Sequence, residues 1–270
     1  MKNNKQYMKD LVVIVPLHEF NSNVEELLTK AIASVPKELE IRISCKNGLS
    51  EDIKKACKKY KNVVIYENEN ADAPSDFCTL VNQAVGDSKW FSVLEFDDEY
   101  SKIWFDNFKK YVDFYSDISV FLPLEDLIDA NNDSFIGIGN EAPWASSFSN
   151  EIGYIDLDCL QNFFDFYLTG GIFNTEDWIE AGGLKPSIKL TFWYEFLLRI
   201  TNKGKKVYVI PKVGYAHRLG REGSLIEGYK KAIDEKESNF WVNVARKEYF
   251  YKEERDESKY KYDANKEAEE

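Results

Sequence analysis

The first hundred residues alternate continuous apolar runs with segments whose apolar positions recur every three or four residues. Residues 11–15 are a β-branched run that reads as a strand buried on both faces and ended by Pro16. Val24, Leu27, Leu28, Ala31, Ile32 and Val35 then share one helical face. Asn21 or Ser22 supplies the N-cap, and Glu25 and Glu26 meet the positive end of the helix dipole. The same reading predicts a strand over 39–45 and a helix capped by Ser50, with Ile53, Ala56, Cys57 and Tyr60 on one face. It continues with a strand over 63–66, a helix marked by Phe77, Leu80, Val81, Ala84 and Val85, and a strand over 90–94. Such alternation predicts a parallel, Rossmann-like α/β half, with ligands at the carboxyl ends of its strands.

The second half is less regular. A helix over 101–115 carries Trp104, Phe108, Tyr111 and Tyr115 on one face, and a short strand follows at 119–122. Residues 129–153, rich in Asn, Ser and Gly, read as a long loop, and 156–168 as an aromatic helix. Ile172 and Phe173 read as a strand, 175–181 as a helix closed by Gly182 and Gly183, and 191–202 as a helix stopped by Gly204. A strand over 207–210 ends before Pro211, and 224–250 is amphipathic. Residues 251–270 carry 5 basic and 8 acidic groups with few apolar anchors, the pattern of a disordered tail.

Composition narrows the functional classes. The 270 residues are 44% hydrophobic and 15% aromatic, enough for a buried core and against global disorder. With 35 basic and 47 acidic side chains the net charge is −12, which disfavours non-specific contact with nucleic acid or anionic membrane while leaving room for a local basic patch. Cys45, Cys57, Cys78 and Cys159 form no C-x-x-C pair and read as buried thiols in a reduced compartment. No apolar run approaches the ~20 residues of a membrane span, and the amino terminus does not read as a signal peptide, so a soluble cytoplasmic protein is expected.

Four features could carry chemistry. Glu95-Phe96-Asp97-Asp98-Glu99 puts four carboxylates directly after an apolar strand, either as an acidic turn or as hard oxygen ligands for magnesium, manganese or calcium. His217, followed by Arg218 and Arg221, could complete such a site while the guanidinium groups grip phosphate, or could lie in an ordinary surface loop. Glu195, beside Trp193 and Tyr194, is four residues from Arg199, so it is a helical ion pair or a general base of raised pKa. His18, after Pro16 at the end of the first strand, could contact a ligand or lie in a plain loop.

In this order the features resemble the family 2 nucleotide-sugar glycosyltransferases of the GT-A fold, over residues 11–222. The run into Pro16 looks like the family's opening strand, and residues 45–52, with Lys46, Asn47, Gly48 and Ser50, look like its Asp-Asp-Gly-Ser nucleoside turn. The helix with Asn82 resembles its Arg-Asn-x-Gly helix, and residues 91–98 its strand ending in D-x-D, with Glu95 and Asp97 at the two acidic positions. Gly170 and Gly171 through Leu184 look like the segment bordering the acceptor, Glu195 to Arg199 like the catalytic helix, and His217 with Arg218 and Arg221 like the late histidine and pyrophosphate loop. Three features depart from the family: Lys46 and Asn47 replace aspartates, Glu95 stands at the first D-x-D position, and Phe192 and Trp193 replace its catalytic Glu-Asp pair.

The resemblance implies a GT-A-like α/β fold with a mostly parallel central sheet flanked by helices. It also implies one domain over 1–222, divided into a nucleotide-binding half (11–100) and an acceptor half (101–222), followed by a helical extension (223–250). The implied activity is metal-dependent, inverting sugar transfer from a nucleotide-diphosphate sugar, UDP-linked, to a hydroxyl of a glycan or other acceptor. Asp97 and His217 would hold Mn2+ or Mg2+. Pro16, His18, Asn47, Asn82, Glu95, Arg218 and Arg221 would bind donor. Gly170, Gly171, Trp193 and Tyr194 would bind acceptor, with Trp144 and Trp178 as further stacking aromatics, and Glu195 would be the base, with Glu176 or Asp177 next in line. Two other outcomes stay open: transfer to a hydroxylated DNA base, which the net charge disfavours, and a module that binds nucleotide sugar without turning it over.

Overall fold

In the computed structural model, which describes residues 10–68, 76–145, 151–232 and 235–250, the first half folds as strands and helices in strict alternation. These are β1 (Leu11–Leu17), α1 (Ser22–Ser34), β2 (Glu40–Cys45), α2 (Ser50–Cys57), β3 (Val63–Glu67), α3 (Phe77–Ala84) and β4 (Trp90–Val93). Asn21 caps α1, accepting from the N–H groups of Asn23 and Val24, both at 3.0 Å. Ser50 does not cap α2. It is the helix's first residue, and its hydroxyl donates to Glu67 Oε2 at 2.6 Å, a charge-assisted bond to the carboxylate that ends β3. Nor does Pro16 end β1, which continues to Leu17. Beyond Ile14 the strand pairs only with β2, and a strand open on one side tolerates a residue with no N–H.

The second half contains β5 (Glu99–Tyr100), α4 (Trp104–Phe114), β6 (Ile118–Asp129), β7 (Ser134–Gly139), β8 (Tyr154–Ile155), α5 (Leu157–Asn162), β9 (Ile172–Asn174), α6 (Thr175–Ala181), α7 (Phe192–Asn202), β10 (Lys206–Leu219), α8 (Leu225–Ala232) and α9 (Glu235–Phe250). Several elements differ from expectation. The loop expected over 129–153 contains the end of the β6–β7 hairpin and a 3₁₀ turn at Ala142–Trp144. The helix expected to reach 168 stops at Asn162, because the buried Asn140 side chain takes both backbone groups of Tyr167, at 2.7 and 3.0 Å, and holds that segment extended. β10 runs through Pro211, with the register slipping between Ile210 and Val213 to absorb it. His217 therefore lies in a strand, not a loop. The amphipathic 224–250 stretch carries two helices, and the expected tail at 251–270 lies outside the described residues.

The sheet order is β3-β2-β1-β4-β9-β6-β10-β5, with β7 on β6 and β8 on β10. β3, β2, β1 and β4 are mutually parallel; β9 runs against them; β6 and β10, parallel to each other, resume the first direction. Period-2 alternation splits β1 between two cores: Leu11, Val13, Val15 and Leu17 face α1, α2 and α4, whereas Val12 and Ile14 face α3, α6 and α7. Helices thus cover both faces, and the carboxyl ends of β1, β4 and β10 open on the same side.

Candidate active site

The acidic run after β4 is folded into a turn, with the Asp98 N–H donating to the Glu95 carbonyl at 3.2 Å. Four carboxylates so close repel one another, and the far end of β10 holds them. Arg218 donates its backbone N–H to Asp98 Oδ1 (2.7 Å), Nη1 to the Asp97 carbonyl (3.0 Å) and Nη2 to Glu99 Oε1 (2.9 Å). Arg221 donates Nε to Asp97 Oδ2 at 2.6 Å and lies 4.7 Å over the Phe96 ring. Tyr215, fully buried, accepts from the Glu95 N–H at 3.0 Å.

Behind the turn sits a second layer of charge. Glu95, Asp98 and His217 present ligand atoms within 4.8 Å of one another. Glu125, on β6 and fully buried, places Oε2 3.0 Å from His217 Nδ1. Asp98 Oδ2 and Glu125 Oε1 are buried with no hydrogen-bond partner. Burial pushes the Glu95 carboxyl up to about 7 and raises Asp98 and Glu125 as well. Burial alone would lower His217, but Asp98, Glu125 and Glu95 together raise it to about 10. Two buried carboxylates and a half-buried one around one imidazole are an environment short of positive charge, and the triad's donor set of two carboxylates and an imidazole suits manganese or magnesium. The triad corrects the expected ligand pair. Asp97 is not grouped with His217; it is ion-paired with Arg221, and Asp98 stands in its place.

Glu95 and His217 open on a cavity of about 780 Å3, whereas Asp98 and Glu125 lie buried behind its wall. Pro16, His18, Glu95, Asp97, Arg218 and Arg221 line it from the strand ends, and Trp193 and Tyr194 line it from the start of α7. Burial lowers the His18 pKa. Asp165 also lines the cavity and has no hydrogen-bond or ion-pair partner among the described residues.

Other expected site residues lie elsewhere. Glu195 is buried and does not line the cavity. Arg199 grips both its oxygens, at 2.9 and 2.8 Å, and Lys185 adds a third bond at 2.7 Å. Burial would raise its pKa, but the bonds from Arg199 and Lys185 outweigh burial and hold the carboxyl below the usual range, the opposite of a base tuned upward. Asn82 brackets the backbone of Leu184, at 2.7 and 3.0 Å, and so pins the Gly182–Gly183 turn to α3. Asn47 lies in an exposed turn whose next residue, Gly48, donates to Glu67 at 2.6 Å, outside the cavity lining. Gly170 and Gly171 are buried backbone fitted against Tyr215 and Leu122. Trp178 packs in the core between Phe91 and Phe196, and Trp144 donates to the Val209 carbonyl at 3.2 Å away from this cavity. Glu176 is exposed, and Asp177 is ion-paired with Lys205; neither lines the cavity.

Sequence reasoning missed Glu125 and Asp165. A carboxylate inside the apolar run 118–124 and its continuation was the available signal for the first, since buried acids are rare without a partner. Asp165 carried no signal, because the helix expected there would have pointed it elsewhere.

No protein-family profile and no curated protein sequence matches the chain. Solved structures do. S. aureus TarS 1-349 in complex with UDP-GlcNAc aligns with a TM-score of 0.59 and 17% identity, over 80% of this chain and 60% of that one. The mannosyltransferase PcManGT from Pyrobaculum calidifontis, in complex with GDP-Man and Mn2+, aligns with a TM-score of 0.57 and 12% identity, over 79% of this chain and 58% of that one. The chain thus spans about three fifths of the length of these two structures. At these identities the likeness shows the fold, which is the GT-A α/β fold expected from the sequence. No helix among the described residues is long and apolar enough to cross a membrane.

Proposed function

We propose that the chain is a glycosyltransferase that moves a sugar from a nucleotide-diphosphate donor, UDP-linked, to a hydroxyl of a glycan or other acceptor, in the cytoplasm. One observation carries the reading: Glu95 and His217, backed by the buried Asp98, line one large cavity together with two arginines, at the carboxyl ends of β1 and β4, where ligands bind in sheets of this kind. The fold neighbours bound to UDP-GlcNAc and to GDP-Man with Mn2+ support it.

Glu95, Asp98 and His217 would hold Mn2+ or Mg2+, and the unpartnered Asp98 Oδ2 fits that role. When bound, the cation supplies positive charge against the diphosphate of the leaving nucleotide. Arg221 is the second source of that charge; its Nε is taken by Asp97 and Nη1 lies 3.6 Å from Glu19 Oε1, which leaves Nη2 for phosphate oxygens. Arg218 keeps the acidic turn in shape. Pro16 and His18 line the donor side, and Trp193 and Tyr194 offer apolar faces to the sugars. Asp165, an exposed carboxylate lining the cavity, is available to take the acceptor proton as its oxygen attacks the anomeric carbon. One displacement forms the new glycosidic bond as the bond to the diphosphate breaks, and so inverts the anomeric centre.

The test is to incubate the full chain with UDP- and GDP-linked sugars, Mn2+ and a panel of hydroxyl acceptors, reading nucleoside diphosphate release and the acceptor's mass gain. Transfer that stops on chelation is the expected result. Tight donor binding with no transfer on any acceptor supports the binding-module reading instead, which Phe192 and Trp193 at the family's catalytic acid positions favour.

A further inference from the structure

Glu125 belongs to no motif singled out in the sequence, yet it is the most enclosed acid next to the triad. It sits on β6, whose register with β10 sets Glu125 opposite Tyr215, two residues before His217. Its side chain is fully buried, Oε2 lies 3.0 Å from His217 Nδ1, and Oε1 has no partner. Thr169 Oγ1, the other group near Nδ1, is farther away at 3.5 Å. The Tyr167 ring meets the imidazole edge to face at 5.0 Å and limits its rotation.

A buried carboxylate with one oxygen unpartnered is costly, and a protein with only a fold to maintain gains nothing from one here. An ionised carboxylate can only accept hydrogen bonds, so a proton shared with His217 must sit on Nδ1. A neutral imidazole protonated at Nδ1 keeps its lone pair on Nε2, the form a metal ion needs. We propose that Glu125 is a positioning residue that fixes the tautomer and orientation of His217, so that Nε2 is presented as a ligand to the divalent cation bound with Glu95 and Asp98. The inference rests on the cation reading given above and extends it to a residue that touches neither cation nor sugar.

The experiment titrates the purified full-length protein with Mn2+ alone, without nucleotide sugar, and follows free Mn2+ by electron paramagnetic resonance. Glu125→Gln keeps the shape and removes the charge. Glu125→Asp keeps the charge and withdraws it by one methylene from Nδ1. Both should weaken Mn2+ binding by about 10–100-fold, the usual range for losing a ligand's orienting partner. Metal-free Glu125→Gln should keep the wild-type fold by circular dichroism, and this separates positioning from damage to the fold. Spin-echo modulation from a histidine nitrogen on Mn2+ should be present in the wild type, altered in both variants and absent in His217→Ala. Wild-type affinity in both variants overturns the inference and leaves the cation reading standing. Weakening in Glu125→Gln with none in Glu125→Asp also overturns it, because charge alone would then explain the effect. A wild type that binds no Mn2+ overturns the cation reading itself, and the inference with it.

Discussion

Arg199 forks onto Glu195, Nε to Oε1 at 2.9 Å and Nη2 to Oε2 at 2.8 Å, inside the protein rather than at the cavity. The same guanidinium bonds the carbonyls of Ala181 and Gly183, so the pair fastens the Gly182–Gly183 turn to α7. Glu195→Gln removes one partner of a buried charged pair. It should cost about 2 kcal/mol and lower the melting temperature by about 4–8 °C. Turnover by the folded fraction should stay within a few-fold of wild type. A 10²-fold loss of turnover at unchanged melting temperature would return the base role to Glu195.

The pair also sets a pH dependence. The Glu195 carboxyl is held below its ordinary range, chiefly by bonds from Arg199 and Lys185 that outweigh burial. A carboxylate depressed on folding contributes stability in full above its unfolded pKa, ~4.3, and loses it as pH falls toward the folded value. The melting-temperature gap between wild type and Glu195→Gln should therefore be widest near neutral pH and narrow below about pH 4.5. A gap that widens on acidification would contradict this assignment.

How much of this was legible beforehand depended on whether a segment's role was local. The β1–β4 half was readable because β1, β2 and β4 are buried along almost their whole length and each helix carries its own periodicity. The acidic turn and His217 were readable because charged groups that follow apolar strands stand out. What failed was set by distant partners. Asn140 reaches across to hold Tyr167, which shortens α5, and nothing near 163–168 announces it. β10 passes through Pro211 because the slipped register with β6 allows it. Glu195 beside two aromatics read equally well as base or ion pair, and only the position of Lys185 and the Gly183 carbonyl separates the two.

Gly170 offers a test of the wall behind the turn. Its φ is +76°, and a Cβ there would lie 2.5 Å from the Tyr215 ring, which is fully buried. Tyr215 in turn accepts from the Glu95 N–H. Gly170→Ala should therefore destabilise the protein by more than the ~1 kcal/mol of the left-handed backbone alone and should also weaken Mn2+ binding, because the ring's displacement moves Glu95. Calorimetry and an Mn2+ titration on the same preparation check this. A stability loss with unchanged Mn2+ affinity would show that the ring yields without moving Glu95.

The two arginines at the cavity mouth should fail in different ways, because they face different partners. Arg218 spends Nη1 and Nη2 inside the protein, on the Asp97 carbonyl and on Glu99. Arg218→Ala keeps the backbone N–H bond to Asp98 but releases those two anchors, so the turn loosens and both Mn2+ and donor should bind more weakly. Arg221 spends Nε on Asp97, stacks over Phe96 and holds Nη1 3.6 Å from Glu19, leaving Nη2 for ligand. Arg221→Ala should leave Mn2+ affinity within a few-fold of wild type and raise KM for the nucleotide sugar about 10–100-fold, the scale of one hydrogen bond to a charged group. Arg221→Lys should recover only part of this, since an ammonium cannot hold Asp97 and a phosphate oxygen with the geometry of a fork. The comparison needs each variant's KM for one donor and its Mn2+ affinity measured without donor. Equal losses in both quantities for both variants would mean that Arg221, like Arg218, acts only by holding the acidic turn, and the diphosphate contact would have to be sought at His18, which also lines the cavity.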